Sequence, residues 1–283
     1  MEVIVARTPK EVKEIIRDWK KQGYSIGLVP TMGYLHEGHG SLIERAVKEN
    51  DKVMVSVFVN PIQFGPNEDL ETYPRDFDAD LQMIEKLGAD MVFHPEPSDM
   101  YAPDFSTTIS VAGVSENLCG ARRPGHFNGV CTVVTKLFNL SEADRAYFGQ
   151  KDAQQLAVVR RMVRDLNANI EIIGCPIIRE DDGLAKSSRN TYLNPDERKA
   201  ATVLSKALRT GKQMIESGEK NAEVVKSKIT EIISKEPLAK IDYVEITDWN
   251  SIEPVDIIDR STLCAIAVYI GNTRLIDNFI YEV

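Results

Sequence analysis

Two histidines, His36 and His39, stand three residues apart in the segment Pro30-Thr31-Met32-Gly33-Tyr34-Leu35-His36-Glu37-Gly38-His39. An apolar run precedes the segment and a stretch with helical spacing follows it. That context puts the histidines at the carboxyl end of a strand, where open α/β sheets bind ligands, and at a helix start, where free N–H groups attract phosphate. Imidazoles there can donate hydrogen bonds to phosphate oxygens, and Gly38 permits close approach. The bland alternative is a pair of ordinary loop histidines. A structural zinc site is disfavoured, because the pair supplies two ligands of the four required and His94 and His126 lie far off in sequence. A second polar cluster, Lys186-Ser187-Ser188-Arg189, follows Asp181-Asp182-Gly183-Leu184. Its cations and hydroxyls suit phosphates, although a solvated charged loop reads the same way. There is no GxGxxG after the first apolar strand candidate and no GxxxxGK[ST]. No convincing Ser–His–Asp or Cys–His arrangement appears, so an enzyme-borne nucleophile is not expected.

The elements that must position these residues alternate. Glu11–Lys21 has helical spacing, with Val12, Ile15, Ile16 and Trp19 on one face. Tyr24–Val29 reads as a buried strand interrupted at Pro30, Ser41–Asn50 as a helix, and Lys52–Val59 as a β-branched strand. Leu70–Leu87 reads as largely helical around Pro74, and Met91–Phe93 as a strand. Gly129–Leu140 (helix), Ala146–Phe148 (strand), Ala153–Leu166 (helix) and Ile170–Ile173 (strand) continue the alternation. Such βαβ units predict a parallel sheet. After Cys175-Pro176 the pattern changes to helices over Glu197–Ser217 and Ala222–Ser234, then strands over Asp242–Ile246, Leu263–Tyr269 and Arg274–Tyr281. The expectation is a Rossmann-like parallel sheet with helices on both faces (residues 1–177) plus a smaller α+β domain (residues 178–283).

The 283 residues suggest roughly two domains. Hydrophobic residues make up 43% and charged residues 27%, which excludes a disordered chain. Net charge is −9, a poor basis for clamping nucleic acid, whose binding rests on Lys and Arg. The longest apolar run, Leu263–Ile270, falls far short of the about 20 residues that span a membrane. Met1–Arg7 shows no secretory signal. Four scattered cysteines without a CxxC pair suggest reduced thiols in the cytoplasm.

HxGH after a strand is the signature of the nucleotidyltransferase and class I aminoacyl-tRNA synthetase superfamily, whose second signature is a KMSKS-type loop that KSSR fits. Further segments narrow this: Phe58-Val59-Asn60-Pro61-Ile62-Gln63-Phe64-Gly65-Pro66-Asn67-Glu68-Asp69, Arg122-Arg123-Pro124-Gly125-His126-Phe127, Phe148-Gly149-Gln150-Lys151-Asp152-Ala153-Gln154-Gln155, Ser187-Ser188-Arg189-Asn190, Asp242-Tyr243-Val244-Glu245 and Arg274-Leu275-Ile276-Asp277-Asn278. From Pro30 to Asn278 the set resembles the pantoate–β-alanine ligase family. Position 186 departs from that pattern, being usually apolar and here Lys186.

The resemblance implies an ATP- and Mg²⁺-dependent ligase that joins pantoate to β-alanine through an enzyme-bound pantoyl adenylate, releasing AMP and pyrophosphate. It implies that His39 matches the family's proton donor, that His36 does similar phosphate work, and that an ATP loop runs over Met32, Gly33, Tyr34, Leu35, His36, Glu37, Gly38 and His39. It assigns transition-state stabilisation to Lys151 and further ATP contacts to Gly149, Gln150, Asp152, Ile178, Lys186, Ser187, Ser188 and Arg189. Gln63 and Gln155 match the pantoate-binding pair, and Gln63 also matches a β-alanine contact. Asn60 and Arg123 are further pocket candidates, Arg123 being equally an ordinary surface arginine. Asp152 fits a ribose or Mg²⁺ role and, as readily, an N-cap. Pro30, Met32, Val133, Val134 and Phe148 are candidates for an apolar wall. Lys186 could reach phosphate or point into water. The resemblance also implies a homodimer through the first domain, for which Lys52–Val59 and Thr107–Val111 are candidate contact strands. Because water would hydrolyse the mixed anhydride, the Lys186–Arg189 loop and residues 178–283 are expected to close over ATP as a lid. A related HxGH transferase with another acceptor, which would not need Gln63 and Gln155, and a nucleotide-binding protein without turnover are the competing readings.

Overall fold

Apolar runs without polar alternation belong in strands covered on both faces, and the first half of the chain folds that way. The computed structural model describes residues 3–66 and 68–283; Met1 and Glu2 at the chain start and Asn67 of the Phe58–Asp69 segment lie outside the described residues. The chain separates into two compact units. One comprises Met1–Val111, Arg123–Gln150 and Val158–Pro176, the other Ala112–Arg122, Lys151–Ala157 and Ile177–Val283.

In chain order the elements are β1 (Ile4–Ala6), α1 (Pro9–Lys21), β2 (Ile26–Thr31), α2 (Glu37–Glu49), β3 (Lys52–Val57), α3 (Phe77–Leu87), β4 (Met91–Phe93), α4 (Pro97–Met100) and α5 (Leu118–Arg122). They continue with α6 (His126–Ser141), β5 (Arg145–Gly149), α7 (Ala153–Asp165), β6 (Glu171–Cys175), α8 (Pro195–Ala200), α9 (Val203–Glu216), α10 (Ala222–Ser234), β7 (Ala239–Asp248), β8 (Thr262–Ile270) and β9 (Thr273–Tyr281). Short 3₁₀ turns cover Pro61–Gln63, Gln150–Asp152 and Ser188–Tyr192.

The first unit holds a six-stranded parallel sheet in the order β1-β4-β3-β2-β5-β6. The chain runs outward from β2 to β3 and β4, then returns to lay β5 on the other side of β2. That reversal opens a crevice at the carboxyl ends of β2 and β5, where the His36–His39 segment and Gly149-Gln150 begin. Val29, Val55, Val92 and Tyr147 of the sheet pack with Ile43, Ala46 and Ile84 of the helices. The second unit is α+β: an antiparallel sheet β7-β8-β9 packs Ile246, Ile266 and Val268 against Leu204, Leu208, Val225 and Ile229 of α9 and α10.

Several boundaries differ from the sequence expectation. Ile4–Ala6 is a strand that three residues were too few to reveal, so the histidine segment follows the second strand. β2 does not stop at Pro30: Pro30 pairs with Ser56 and Thr31 with Val57. The helix expected from Leu70 begins at Phe77, because Pro74 disfavours helix before it and Asp76 caps the Ala79 N–H at 3.1 Å. The helix expected over Glu197–Ser217 is two, α8 starting in an Asn194–Glu197 capping box. Thr107–Val111 forms no strand; the Ile109 N–H donates instead to Thr132 Oγ1 at 3.0 Å. Among the described residues, no helix is long and apolar enough to cross a membrane.

Candidate active site

The segment after β2 is bent by two successive left-handed residues, Gly33 at φ +84° and Tyr34 at φ +51°. The second is unfavourable for a residue with a β-carbon, so something must hold it. Asp80 does: its carboxylate accepts the Tyr34 N–H at 2.8 Å and the Leu35 N–H at 2.6 Å. Asp80 is only 3% exposed, and burial pushes its carboxyl up against the opposing pull of those two N–H groups. The sequence contains a signal for this residue, since Phe77, Asp80, Leu81 and Ile84 share one helical face and Asp80 is the polar exception. The motifs do not include it, and only the fold shows what it holds.

His36 and His39 cap the helix they begin. The Gly38 N–H donates to His36 Nδ1 at 3.1 Å, and the His36 N–H donates to His39 Nδ1 at 3.3 Å. The rings lie 4.1 Å apart between centroids. A backbone N–H can only donate, so each Nδ1 is an acceptor and a neutral ring carries its proton on Nε2. The motif therefore fixes two imidazoles in one tautomer and places two Nε2–H donors at a helix N-terminus. The helix starts at Glu37, inside the motif rather than after it.

A polar corner surrounds Gln63 in the same unit. The Asn60 amide donates to the Gly129 carbonyl at 3.2 Å and to Gln63 Oε1 at 3.0 Å, while Tyr101 O–H donates to Asn60 Oδ1 at 2.6 Å. The Gly129 carbonyl can only accept, which fixes the Asn60 flip, and Asn60 in turn fixes Gln63. The Gln63 Nε2 group, 3.1 Å from the Met32 sulfur, is thereby presented as a donor. His126 Nδ1–H holds the Gln63 carbonyl at 2.9 Å and its Nε2 faces Arg123 at 3.0 Å. Arg123 forks onto Glu68 with two 2.6 Å bonds. Burial pushes the Glu68 carboxyl up, but Arg123 more than offsets this and holds it below the usual range. Met32, Asn60, Gln63 and Arg123 thus come together, and Arg123 is largely covered rather than an ordinary surface residue. Glu68 and His126 join them from within the distinctive segments, where the motif marked the residues but gave them no role, and Tyr101 joins from outside any motif. Val133, Val134 and Phe148 are buried in the core, whereas Pro30 and Met32 are half-buried. A β-carbon at Gly149 would meet no atom within 4 Å, leaving an open face after β5.

In the second unit, Lys151 and Asp152 occupy the 3₁₀ turn that leads into α7. Gln154 and Gln155 then diverge. Gln154 is buried, accepts the Cys119 N–H at 2.9 Å and donates to the Val114 and Asn117 carbonyls at 3.0 and 2.7 Å. It clamps a loop, whereas Gln155 is half-buried. Ile178 to Lys186 form a hairpin: the Lys186 N–H donates to the Ile178 carbonyl at 2.9 Å and the Glu180 N–H to Leu184 at 2.8 Å. The Lys186 ammonium lies 2.9 Å from Glu180, so it does not simply point into water. Ser187 Oγ accepts the Arg189 N–H at 3.3 Å, and Ser188 is buried. The remaining distinctive segments are also paired here: Asp242 receives Arg274 at 2.8 Å and Arg122 at 3.2 Å.

Among the described residues no group of three or more His, Cys, Asp or Glu side chains is placed to hold a metal. This donor set fits Mg²⁺ only as a partner of substrate phosphates, the usual mode for that ion, with Asp152, the residue after Lys151, as the candidate carboxylate. The four cysteines are buried and unpaired. Burial pushes the Cys131 thiol up to about 12 and raises Cys175 and Cys264 as well, which makes them poor nucleophiles.

The family profile described as pantoate-beta-alanine ligase matches residues 4–280. The chain is 63% identical over 273 residues to the pantothenate synthetase of Clostridium acetobutylicum, covering 96% of this chain and 97% of that one. It is 62% identical over 272 residues to that of Ruminiclostridium cellulolyticum, covering 96% of each. Among solved structures, pantothenate synthetase from Thermus thermophilus superposes with TM-score 0.93 at 42% identity, over 98% of this chain and 99% of that one. Pantoate-beta-alanine ligase from Francisella tularensis, complexed with beta-gamma ATP and beta-alanine, gives 0.81 at 36% identity over 98% and 97%.

Proposed function

The chain belongs to the pantoate–β-alanine ligase family, and from that premise we propose how its residues condense (R)-pantoate with β-alanine to pantothenate, with ATP converted to AMP and pyrophosphate. The observation that carries the reading is the match over residues 4–280, with the distinctive segments intact. In the first step a pantoate carboxylate oxygen bonds the α-phosphorus of ATP and the bond to pyrophosphate breaks. In the second, the β-alanine amine attacks the acyl carbon, AMP leaves, and the amine loses its proton. The substrate supplies each nucleophile, which agrees with the raised thiols of Cys131, Cys175 and Cys264.

The Nε2–H donors of His36 and His39 would bind phosphate oxygens as charge builds on the departing pyrophosphate. Their capped tautomer supports hydrogen-bond donation by neutral rings. Gln63, oriented as a donor, would hold pantoate oxygens without neutralising the nucleophile as an Arg ion pair would. Gln155 is the proposed second pantoate contact, and Gln63 the β-alanine contact. Lys151 would stabilise the transferring phosphoryl group. Gly149, Gln150, Asp152 and Ile178 are proposed for ribose and adenine, and Lys186 to Arg189 for phosphate. Mg²⁺ bound with ATP would neutralise phosphate charge.

A lid role for residues 178–283 belongs to the same reading, and protection of residues 180–189 from protease on adding ATP would test it. A homodimer, testable by sedimentation, is supported by the family alone. Buried free thiols support a cytoplasmic location. The deciding experiment is ATP–pyrophosphate exchange. It should require pantoate and Mg²⁺ but not β-alanine; exchange driven by another acid, with none from pantoate, would overturn the reading.

A further inference from the structure

The Arg274–Asn278 segment has two consecutive buried polar residues, Asp277 at 2% and Asn278 at 4% exposure. Burying a carboxylate and an amide is costly unless each is fully bonded, so their partners are informative. Asp277 takes a forked pair from Arg179 at 2.7 and 2.9 Å, and Arg179 also donates to the Gly183 carbonyl at 3.1 Å. Asn278 Nδ2 donates to the main-chain carbonyl of Lys151 at 2.9 Å. Asp277 in turn accepts the Asn278 N–H at 2.8 Å. Two adjacent residues of β9 therefore tie together the Ile178–Lys186 hairpin and the main chain at Lys151, all within the second unit.

We propose that Asn278 is a positioning residue for Lys151, acting through the Lys151 carbonyl. This rests on the catalytic role given to Lys151 above. A lysine side chain is a flexible four-carbon stem with no planar fork to orient it, so the reach of its ammonium depends on where its main chain is held. The turn lies between the end of β5 and the start of α7, where strand bonds have ended and helix bonds have scarcely begun. The amide from β9 supplies an anchor there from a strand bonded along its length to β8. Asp277 and Arg179 brace that anchor from the next residue.

Asn278→Ala removes the donor, and Asn278→Asp replaces it with an acceptor of nearly the same shape. Both should lower the maximal rate of pantoate-dependent ATP–pyrophosphate exchange by roughly 10- to 100-fold, the scale expected when a catalytic group moves by about 1 Å. The KM values for ATP and pantoate should stay within about threefold. In a Lys151→Ala background, measured in single turnovers, Asn278→Ala should change the rate less than about twofold, since a residue acting through Lys151 has nothing left to act on. An undiminished effect in that background, or full activity in both single variants, would overturn the proposal. Amide hydrogen exchange of the peptide spanning residues 150–155 gives a reading that needs no activity. It should quicken at least about tenfold in either variant while the β8 peptide stays protected; unchanged exchange would overturn the proposal. Failure of the ligase reading is separately visible, as absence of pantoate-dependent exchange in the unsubstituted protein.

Discussion

Gly129→Ala opposes two effects whose magnitudes lead to opposite outcomes. Gly129 lies inside α6, where alanine is intrinsically better than glycine by about 1 kcal/mol, so local propensity alone predicts stabilisation. The tertiary contact predicts the reverse. A β-carbon there would lie 2.6 Å from Gln63 Cα and 2.7 Å from Gln63 N, with the Ile62 carbonyl oxygen closer still. Carbon atoms rest at about 3.5–4.0 Å, so the Pro61–Gln63 turn must retreat by about 1 Å. These are backbone atoms, which cannot rotate aside. Overpacking of this kind costs about 1–3 kcal/mol, enough to reverse the helix gain. The retreat would also pull Gln63 from its bond to Asn60 and break the Asn60–Gly129 bond. A misplacement of about 1 Å is worth up to roughly 10²-fold in rate. The assays are a thermal melt and pantoate-dependent exchange. The melting temperature should fall, pantoate use should weaken by at least about tenfold, and ATP affinity measured without pantoate should hold. A raised melting temperature with unchanged pantoate kinetics would refute the claim that this backbone contact places Gln63.

The histidine caps separate stability from chemistry. His36→Asn keeps an acceptor oxygen near the Nδ1 position but loses the Nε2–H, so it should melt close to wild type while turnover falls by about 10²-fold or more. His36→Ala should lose about 1 kcal/mol of stability in addition, and equal melting temperatures for the two variants would refute the capping role. Glu68 carries a pH signature. Its folded pKa lies below the value of 4.5 it would otherwise have, so its pair with Arg123 contributes stability above that pH and loses it as pH falls through the folded value. The wild-type melting temperature should therefore drop more steeply than that of Glu68→Gln between about pH 5 and pH 3; parallel curves would contradict the assignment.

Much of the fold was legible in the sequence for a local reason. The parallel strands are continuous apolar runs, and the helices carry their period on one face, as at Val12, Ile16 and Trp19. Boundaries failed where a side chain intervened, as at the Asp76 cap, or where a strand was too short to show a pattern, as at Ile4–Ala6. The site divides likewise. His36 and His39 are three apart, so one helix turn brings them together whatever surrounds them. A Gln63 lined up by Asn60, Tyr101 and Gly129 needs atoms from three separate stretches of chain.

The sequence alone thus determined the alternation of strand and helix, the histidine pair at a strand end, and the family, because each rests on neighbouring residues or on segment order. Tertiary structure decided which polar residues are partners and which way they face. Asp80 reads as one more helix acid until its carboxylate is found under Tyr34 and Leu35, and Asn278 as one more strand residue until its amide meets Lys151. The physical reason is range: helix and strand periods, and the caps that fix the two histidine tautomers, arise within a few residues, whereas the hydrogen bonds that fix the Asn60 flip or anchor the Lys151 main chain join residues 69 and 127 positions apart in sequence, brought together only when the chain packs.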